Sequence, residues 1–170
     1  MLQVVIPSPF GMISCQFDES TQGVDGFGHP TEGAVVSLSI GTPISQDAKM
    51  HSGTCGFGGV ARINLMAWLG GDIEALKNIG VSQPGSEFRQ DVWQAMRQTR
   101  EPVSYGVLAA MAGHEGAFRA AASTCANNRV ALIVPCHRII KADGSLGEYS
   151  IGEQGQKLKA ALIAHEAKFL

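Results

Sequence analysis

Charge is scarce in this sequence: Asp, Glu, Lys and Arg make up 16% of its 170 residues, and 13 basic against 15 acidic side chains leave a formal net charge of −2. Taken alone, that argues against a nucleic-acid partner. No apolar run approaches the roughly 18 to 20 residues that span a bilayer. The opening MLQVVIPSPFGM has neither the basic end nor the long apolar centre of a signal peptide, so a cytoplasmic protein with no membrane partner is expected. The four cysteines, Cys15, Cys55, Cys125 and Cys136, contain no C-x-x-C pair, which argues against a disulfide framework and a zinc finger. A structural zinc site would have to gather Cys15, His29, His51 and Cys55 without short paired spacings, so neither a metal nor a cofactor is expected. The Gly-rich stretch SGTCGFGG lacks the Gly-Lys-Ser/Thr ending of a phosphate loop and reads as a flexible connection.

What is present is apolar material, 45% of the chain, with 21 Gly and 7 Pro: enough for a real core in one ordinary domain or in two small ones. The charge also divides unevenly. Residues 1 to 85 carry three basic side chains (Lys49, Arg62, Lys77) against seven acidic, and the remainder ten against eight. From 114 to 141, Arg119, Arg129, Arg138 and Lys141 are opposed only by Glu115. A local basic surface matters more to DNA than the global sum, and its modest size predicts weak or moderate nonspecific affinity that falls with salt.

The runs LQVVI, GMISCQF and AVVSLSI, separated by Pro and Gly, predict a small sheet. Between Val60 and Ile79, Ile63, Met66, Trp68, Leu69, Ile73 and Leu76 recur near helical spacing, with Gly70 and Gly71 dividing the segment. VSQPGS at 81–86 is the expected linker, giving domains 1–83 and 84–170. Beyond it Ser86 is a candidate N-cap, and Phe88, Val92, Trp93 and Met96 define an apolar helix face bounded by Pro102. Ser104 can cap a helix through VLAAMA, Gly113 can end it in the left-handed conformation, and an Ala-rich helix can run from about Gly116 to Asn127. That pair is a candidate helix-turn-helix. ALIV then reads as a short buried extended segment, KADGS as a turn and 157–170 as a closing amphipathic helix. The expected fold class is α/β in the α+β sense: a small N-terminal β-sheet domain packed on a mainly helical C-terminal domain.

IVPCHRII places the Cys136 thiol after a proline, beside His137 and Arg138. Nearby positive charge or an adjacent base raises the thiolate population, the reactive form of cysteine. Adjacent residues of an extended chain point apart, so a contact between Cys136 and His137 needs a turn or one bridging water, and the water relay is the preferred geometry. In AHEAKF, Glu166 could take the other imidazole proton and orient the ring, or form a solvated helix end with Lys168. The residues alone also allow a core thiol followed by surface His137 and Arg138.

PCHR at 135–138, F-x-x-x-V-W at 88–93, VSYGVLAAMAG at 103–113, FRAAAS at 118–123 and the later EYS and AHE occur in an order that resembles the O6-alkylguanine-DNA alkyltransferases, chiefly over 86–170. The resemblance implies DNA repair by direct reversal. Cys136 would take the alkyl group from O6-alkylguanine in double-stranded DNA, after the damaged base is flipped into a pocket, and be consumed as a thioether. It implies that the second helix of the pair enters the minor groove, where Ala117, Ala120, Ala121 and Ser123 let the backbone approach, with Ser104 also at the DNA and Arg119 filling the space left by the flipped base. It further implies that Tyr105 hydrogen-bonds the guanine, that Asn128 fixes the loop of Cys136, and that Tyr149, Ser150 and the backbone near Ile139 line the pocket. No cofactor is implied, and a monomer is expected. Two departures stand out: AAASTCANNR has Asn127 to Arg129 where Gly-Asn-Pro is common, and IGEQGQKLKAALIA lacks paired glycines after EYS and is longer than usual.

Three rivals remain. A damage-binding module would lack the cysteine. A cysteine hydrolase would have no use for Arg119 or a helix-turn-helix. A transcriptional regulator would need base-reading side chains that the Ala-rich helix does not offer.

Overall fold

The computed structural model describes residues 1–41, 49–50 (backbone only), 56–149 and 155–170. It divides into two compact units, Met1–Gln83 with Phe169 and Pro84–Lys168 with Leu170.

In the first unit, β1 (Leu2–Ser8), β2 (Gly11–Val24) and β3 (Pro30–Gly41) form an antiparallel meander, with β4 (Lys49–Met50) parallel to β1 at the edge. Alternation sets the core face: Val4 and Ile6, then Ile13, Cys15 and Phe17, then Leu38 and Ile40 are buried. Asp25 builds the β2–β3 turn, its Oδ1 accepting from the amides of Phe27 and His29 at 2.8 Å. Helix α1 (Gly56–Leu69) packs on β1 and β3 through Ala61, Leu65 and Trp68, while Ile63 and Met66 face solvent. A 3-10 turn, Ile73–Asn78, follows after Gly71.

The expectation of a flexible Gly-rich connection is corrected for its described part: Gly56 to Gly59 begin α1. Gly58 and Gly59 are buried, and the Phe57 ring stands 5.9 Å from that of Phe17 and over Gly33, where a β-carbon would sit 2.8 Å from it. Close packing outweighs the poor helix propensity of glycine. Cys15 is buried, with its thiol pushed up to about 12 by desolvation; His51 and Cys55 lie outside the described residues. Among the described residues no group of three or more His, Cys, Asp or Glu could hold a metal, and no helix is long and apolar enough to cross a membrane.

The second unit contains α2 (Glu87–Gln98), β5 (Val103–Ser104), α3 (Tyr105–Met111), α4 (Phe118–Ala126), a 3-10 turn at Cys136–Arg138, β6 (Ile139–Ile140) and α5 (Gly155–Glu166). Of the predicted apolar face, Val92, Trp93 and Met96 are buried, while Phe88 is only partly buried, its ring 4.7 Å from that of His114; Ser86 holds the N-cap position without a side-chain hydrogen bond. Ser104 does cap α3, its Oγ accepting from Val107 N at 3.2 Å, and Gly113 leaves the helix at φ +81. Trp93 Nε1 donates to Thr124 O at 3.3 Å, and His114 in the interhelical turn meets Asp91 at 2.8 Å, so α2 is bonded both to α4 and to the turn. The closing helix ends at Glu166, short of the expected 170.

ALIV is buried but not extended. Leu132 has φ +86, Val134 N donates to Val130 O, and Ala131 bridges Val134. The cause is Asn128, whose side chain accepts from Val130 N at 3.1 Å and donates to Val134 O at 2.7 Å, curling the segment.

Candidate active site

Asn128 is where the site begins. The backbone amide of this buried residue donates to Cys125 O at 3.2 Å, and besides holding Val130 and Val134 its Nδ2 reaches Cys136 Sγ at 3.3 Å. The curled segment therefore delivers the thiol to the side chain that curls it. β5 and β6 pair in parallel, Val103 with Ile139 and Ser104 with Ile140, which sets the start of α3 beside the 3-10 turn carrying Cys136.

Cys136 is 4% exposed and opens on a cavity of about 310 Å³ lined by Tyr105, Ala122, Cys125, Lys141 and Tyr149, among others. Burial pushes its thiol up to about 11, against the pull of the Asn128 amide and the Lys159 ammonium toward the thiolate. The resting group is therefore a protonated thiol, and nucleophilic attack requires its proton to leave.

His137 is fully buried beneath it. Nε2 lies 3.1 Å from Glu166 Oε2, and Nδ1 has no hydrogen-bond partner among the described residues. Burial holds the imidazole below its ordinary value despite the carboxylate, so the ring is neutral and can accept a proton. Burial would raise the Glu166 carboxyl, yet His137 and Arg138 together hold it well below the usual carboxylate range. The 3-10 turn supplies the bend that separates the Cys136 and His137 side chains, and no direct hydrogen bond joins them among the described residues.

Arg138 departs from expectation. It is 3% exposed, not part of a basic surface: Nε and Nη2 grip both oxygens of Glu166 at 2.8 Å, and Nη1 donates to Thr99 O. Only a carboxylate at that depth makes a buried guanidinium tolerable. Sequence reasoning also passed over Lys159, 1% exposed, whose Nζ donates to Ile139 O at 2.5 Å. The signal existed: Lys159, Leu162 and Glu166 fall on one face of α5, the face that is buried, so two charged residues occupy core positions.

Tyr105 is half-buried, its phenol pushed up to about 12 by desolvation with Cys125 and Cys136 nearby, so it remains a hydrogen-bond donor. Tyr149 is buried, and its hydroxyl lacks a partner among the described residues. Cys125 lines the same cavity and was not singled out from sequence. Ile139 is fully buried, its carbonyl engaged by Lys159. Ser150 lies outside the described residues. On α4, Arg119, Ala120 and Ser123 are exposed, with the Arg119 guanidinium 5.7 Å from the Phe118 ring centroid. Ser104 is committed to its cap.

A buried thiol in a cavity, backed by an imidazole–carboxylate pair, has the make-up of a cysteine nucleophile's site, and comparison with known proteins shows which proteins the chain resembles. Over 99% of this chain the structure resembles the Mycobacterium tuberculosis O6-methylguanine methyltransferase (TM-score 0.71, 26% identity, 94% of that chain), and does so equally over the M. tuberculosis OGT solved in complex with DNA (0.70, 25%, 94%). Residues 87–168 match the family described as 6-O-methylguanine DNA methyltransferase, DNA binding domain. Curated relatives include the rat methylated-DNA–protein-cysteine methyltransferase, 43% identical over 51% of this chain and 41% of that one, and its Salmonella typhimurium counterpart, 33% over 62% and 61%. The Escherichia coli transcriptional activator and DNA repair enzyme Ada is 45% identical over 49% of this chain and 23% of its own length. The matches thus span from about a quarter to three fifths of these curated relatives.

Proposed function

We propose that the protein repairs DNA by direct reversal, taking the alkyl group from O6-alkylguanine onto Cys136 in a single, irreversible turnover. The observation that carries this reading is the line from the cavity through the Cys136 thiol to neutral His137 and ionised Glu166. The thiol proton passes through one water to the unpartnered His137 Nδ1, and Glu166 with Arg138 steadies the imidazolium. Sulfur attacks the alkyl carbon in line: the S–C bond forms, the C–O6 bond breaks, and its electron pair leaves on guanine. A proton from His137 or solvent returns guanine to neutrality, and Tyr105 offers its hydroxyl to the departing base meanwhile. The thioether has no carbonyl for water to attack, so the protein is spent.

The damaged base must leave the stack to reach a thiol this deep. Exposed Ala120 and Ser123 let α4 approach the minor groove closely, and Arg119 fills the vacated space. Ser104 acts on this surface by capping α3. The partner is double-stranded DNA, the protein acts as a monomer in the cytoplasm, and residues 84–170 carry both DNA binding and transfer.

The test is intact mass of wild type and Cys136→Ala after incubation with duplex DNA containing O6-methylguanine. A stoichiometric gain of one methylene, confined to wild type, is expected. Lesion binding without any gain would favour a damage sensor, and repeated turnover with no gain a cysteine hydrolase.

A further inference from the structure

Lys141 is the only cation among the described residues lining the cavity, and the transfer chemistry does not use it. Its backbone is fixed by the turn that follows β6: Lys141 N donates to Ser145 O at 2.9 Å and Gly144 N to Lys141 O at 3.0 Å. The stem runs along Gly147, where a β-carbon would meet Lys141 Cγ and Cε at 3.6 and 3.7 Å and Tyr105 Oη at 3.3 Å. Lysine stem and tyrosine hydroxyl therefore share one wall. The residue is exposed and makes no salt bridge among the described residues; Asp143, two residues on, gives its Oδ1 to the Ser145 hydroxyl and amide, at 2.7 and 2.9 Å, and feels the Lys141 charge only through a Coulomb attraction weaker than those bonds. The neighbouring cations are spent in the interior, Arg138 on Glu166 and Thr99, Lys159 on Ile139 O. The one carboxylate of the lining, Glu148, is exposed too, so without Lys141 the lining would present only negative charge.

A nucleotide that puts its base against Cys136 leaves its phosphates at the mouth of the cavity, because a phosphate cannot follow the base into an apolar interior. We infer that Lys141 holds a backbone phosphate of the extruded nucleotide, making it a positioning residue for alkylguanine in DNA. This rests on the alkyl-transfer reading. A flexible ammonium suits the task, since it meets phosphate as a point charge and tolerates any base sequence.

The experiment measures single-turnover methyl gain by mass for wild type, Lys141→Gln and Lys141→Arg. Two duplexes are used, one ordinary and one with neutral methylphosphonates replacing the phosphates on either side of the O6-methylguanine. On the ordinary duplex at low salt, Lys141→Gln should react about three- to tenfold more slowly than wild type, with a salt slope shallower by about one, while Lys141→Arg keeps most of the rate. Neutralising the phosphates should slow wild type comparably and leave Lys141→Gln nearly unaffected. Equal rates for wild type and Lys141→Gln on the ordinary duplex, or losses that multiply when both changes are combined, would overturn the inference. If wild type gains no methyl from the ordinary duplex, the alkyl-transfer reading itself falls and this inference with it.

Discussion

Asn128 does two things with one amide, closing the Val130–Val134 curl and touching the reactive sulfur. Replacing it by Ala leaves the buried Val130 amide without a partner and takes one of its two donors from the Val134 carbonyl, which keeps the Cys136 amide, a cost of about 2 kcal/mol. The same change removes the Asn128 hydrogen bond, the largest of the influences that favour the thiolate, so the Cys136 thiol should titrate still higher. Denaturant unfolding and the pH dependence of thiol alkylation measure the two effects separately; a stable Asn128→Ala protein with an unmoved thiol would show that the curl is held by packing alone. At His137 and Glu166 the signs agree. Folding depresses both groups, so each contributes stability at pH values above its unfolded pKa, 6.5 for the imidazole and 4.5 for the carboxyl, which is lost as the unfolded chain takes up protons that the folded chain resists. Urea midpoints should therefore decline as pH falls from 7 toward 5 and decline faster below 4.5. His137→Asn should flatten the first part of that curve, and an unchanged slope would assign it to another group.

At the scale of elements, α3 begins at Ser104, whose hydroxyl satisfies an otherwise orphaned amide. Ser104→Ala should cost about 1 kcal/mol and Ser104→Asn should restore it, as the ranking of N-caps requires. If DNA affinity follows the cap through both substitutions, Ser104 acts through α3; if affinity stays low with Asn, the hydroxyl contacts DNA itself. Elements whose signals are local were legible in the chain: the three long strands as apolar runs parted by Pro and Gly, α2 by the Val92, Trp93 and Met96 spacing, the interhelical turn by Gly113. What escaped depends on partners distant in sequence. Gly56 to Gly59 look like a loop until Phe57 packs on Phe17 and Gly33 of the sheet and the buried Gly58 and Gly59 continue into α1. ALIV looks extended until Asn128 ties its two ends together. Arg138 reads as a surface cation because its counter-charge, Glu166, lies 28 residues away on another helix. In the site, the order of motifs marked Cys136, His137 and Asn128, whereas Cys125 became visible only when α4 brought it to the same cavity as that thiol.

For the molecule as a whole, the net charge of −2 and the burial of its cations limit how it can hold DNA. Of the four basic residues between 114 and 141, Arg138 is withdrawn into the interior, leaving Arg119, Arg129 and Lys141 exposed. Each phosphate neutralised by a protein cation contributes a slope of about −0.9 to the dependence of log affinity on log salt. Three contacts therefore predict a slope near −3 for an undamaged duplex, far shallower than that of a strongly basic DNA-binding protein. On the proposed reading, affinity then rests on fit between the small side chains of α4 and the groove, a contribution that salt does not weaken. Fluorescence anisotropy of a labelled duplex across a series of salt concentrations measures the slope directly. A value near −3 that drops by about one in Arg119→Ala would place the interface on the exposed cations of the second unit. A slope near −6 would require cations elsewhere in the chain to reach phosphate, and the interface would then extend beyond the segment from 114 to 141.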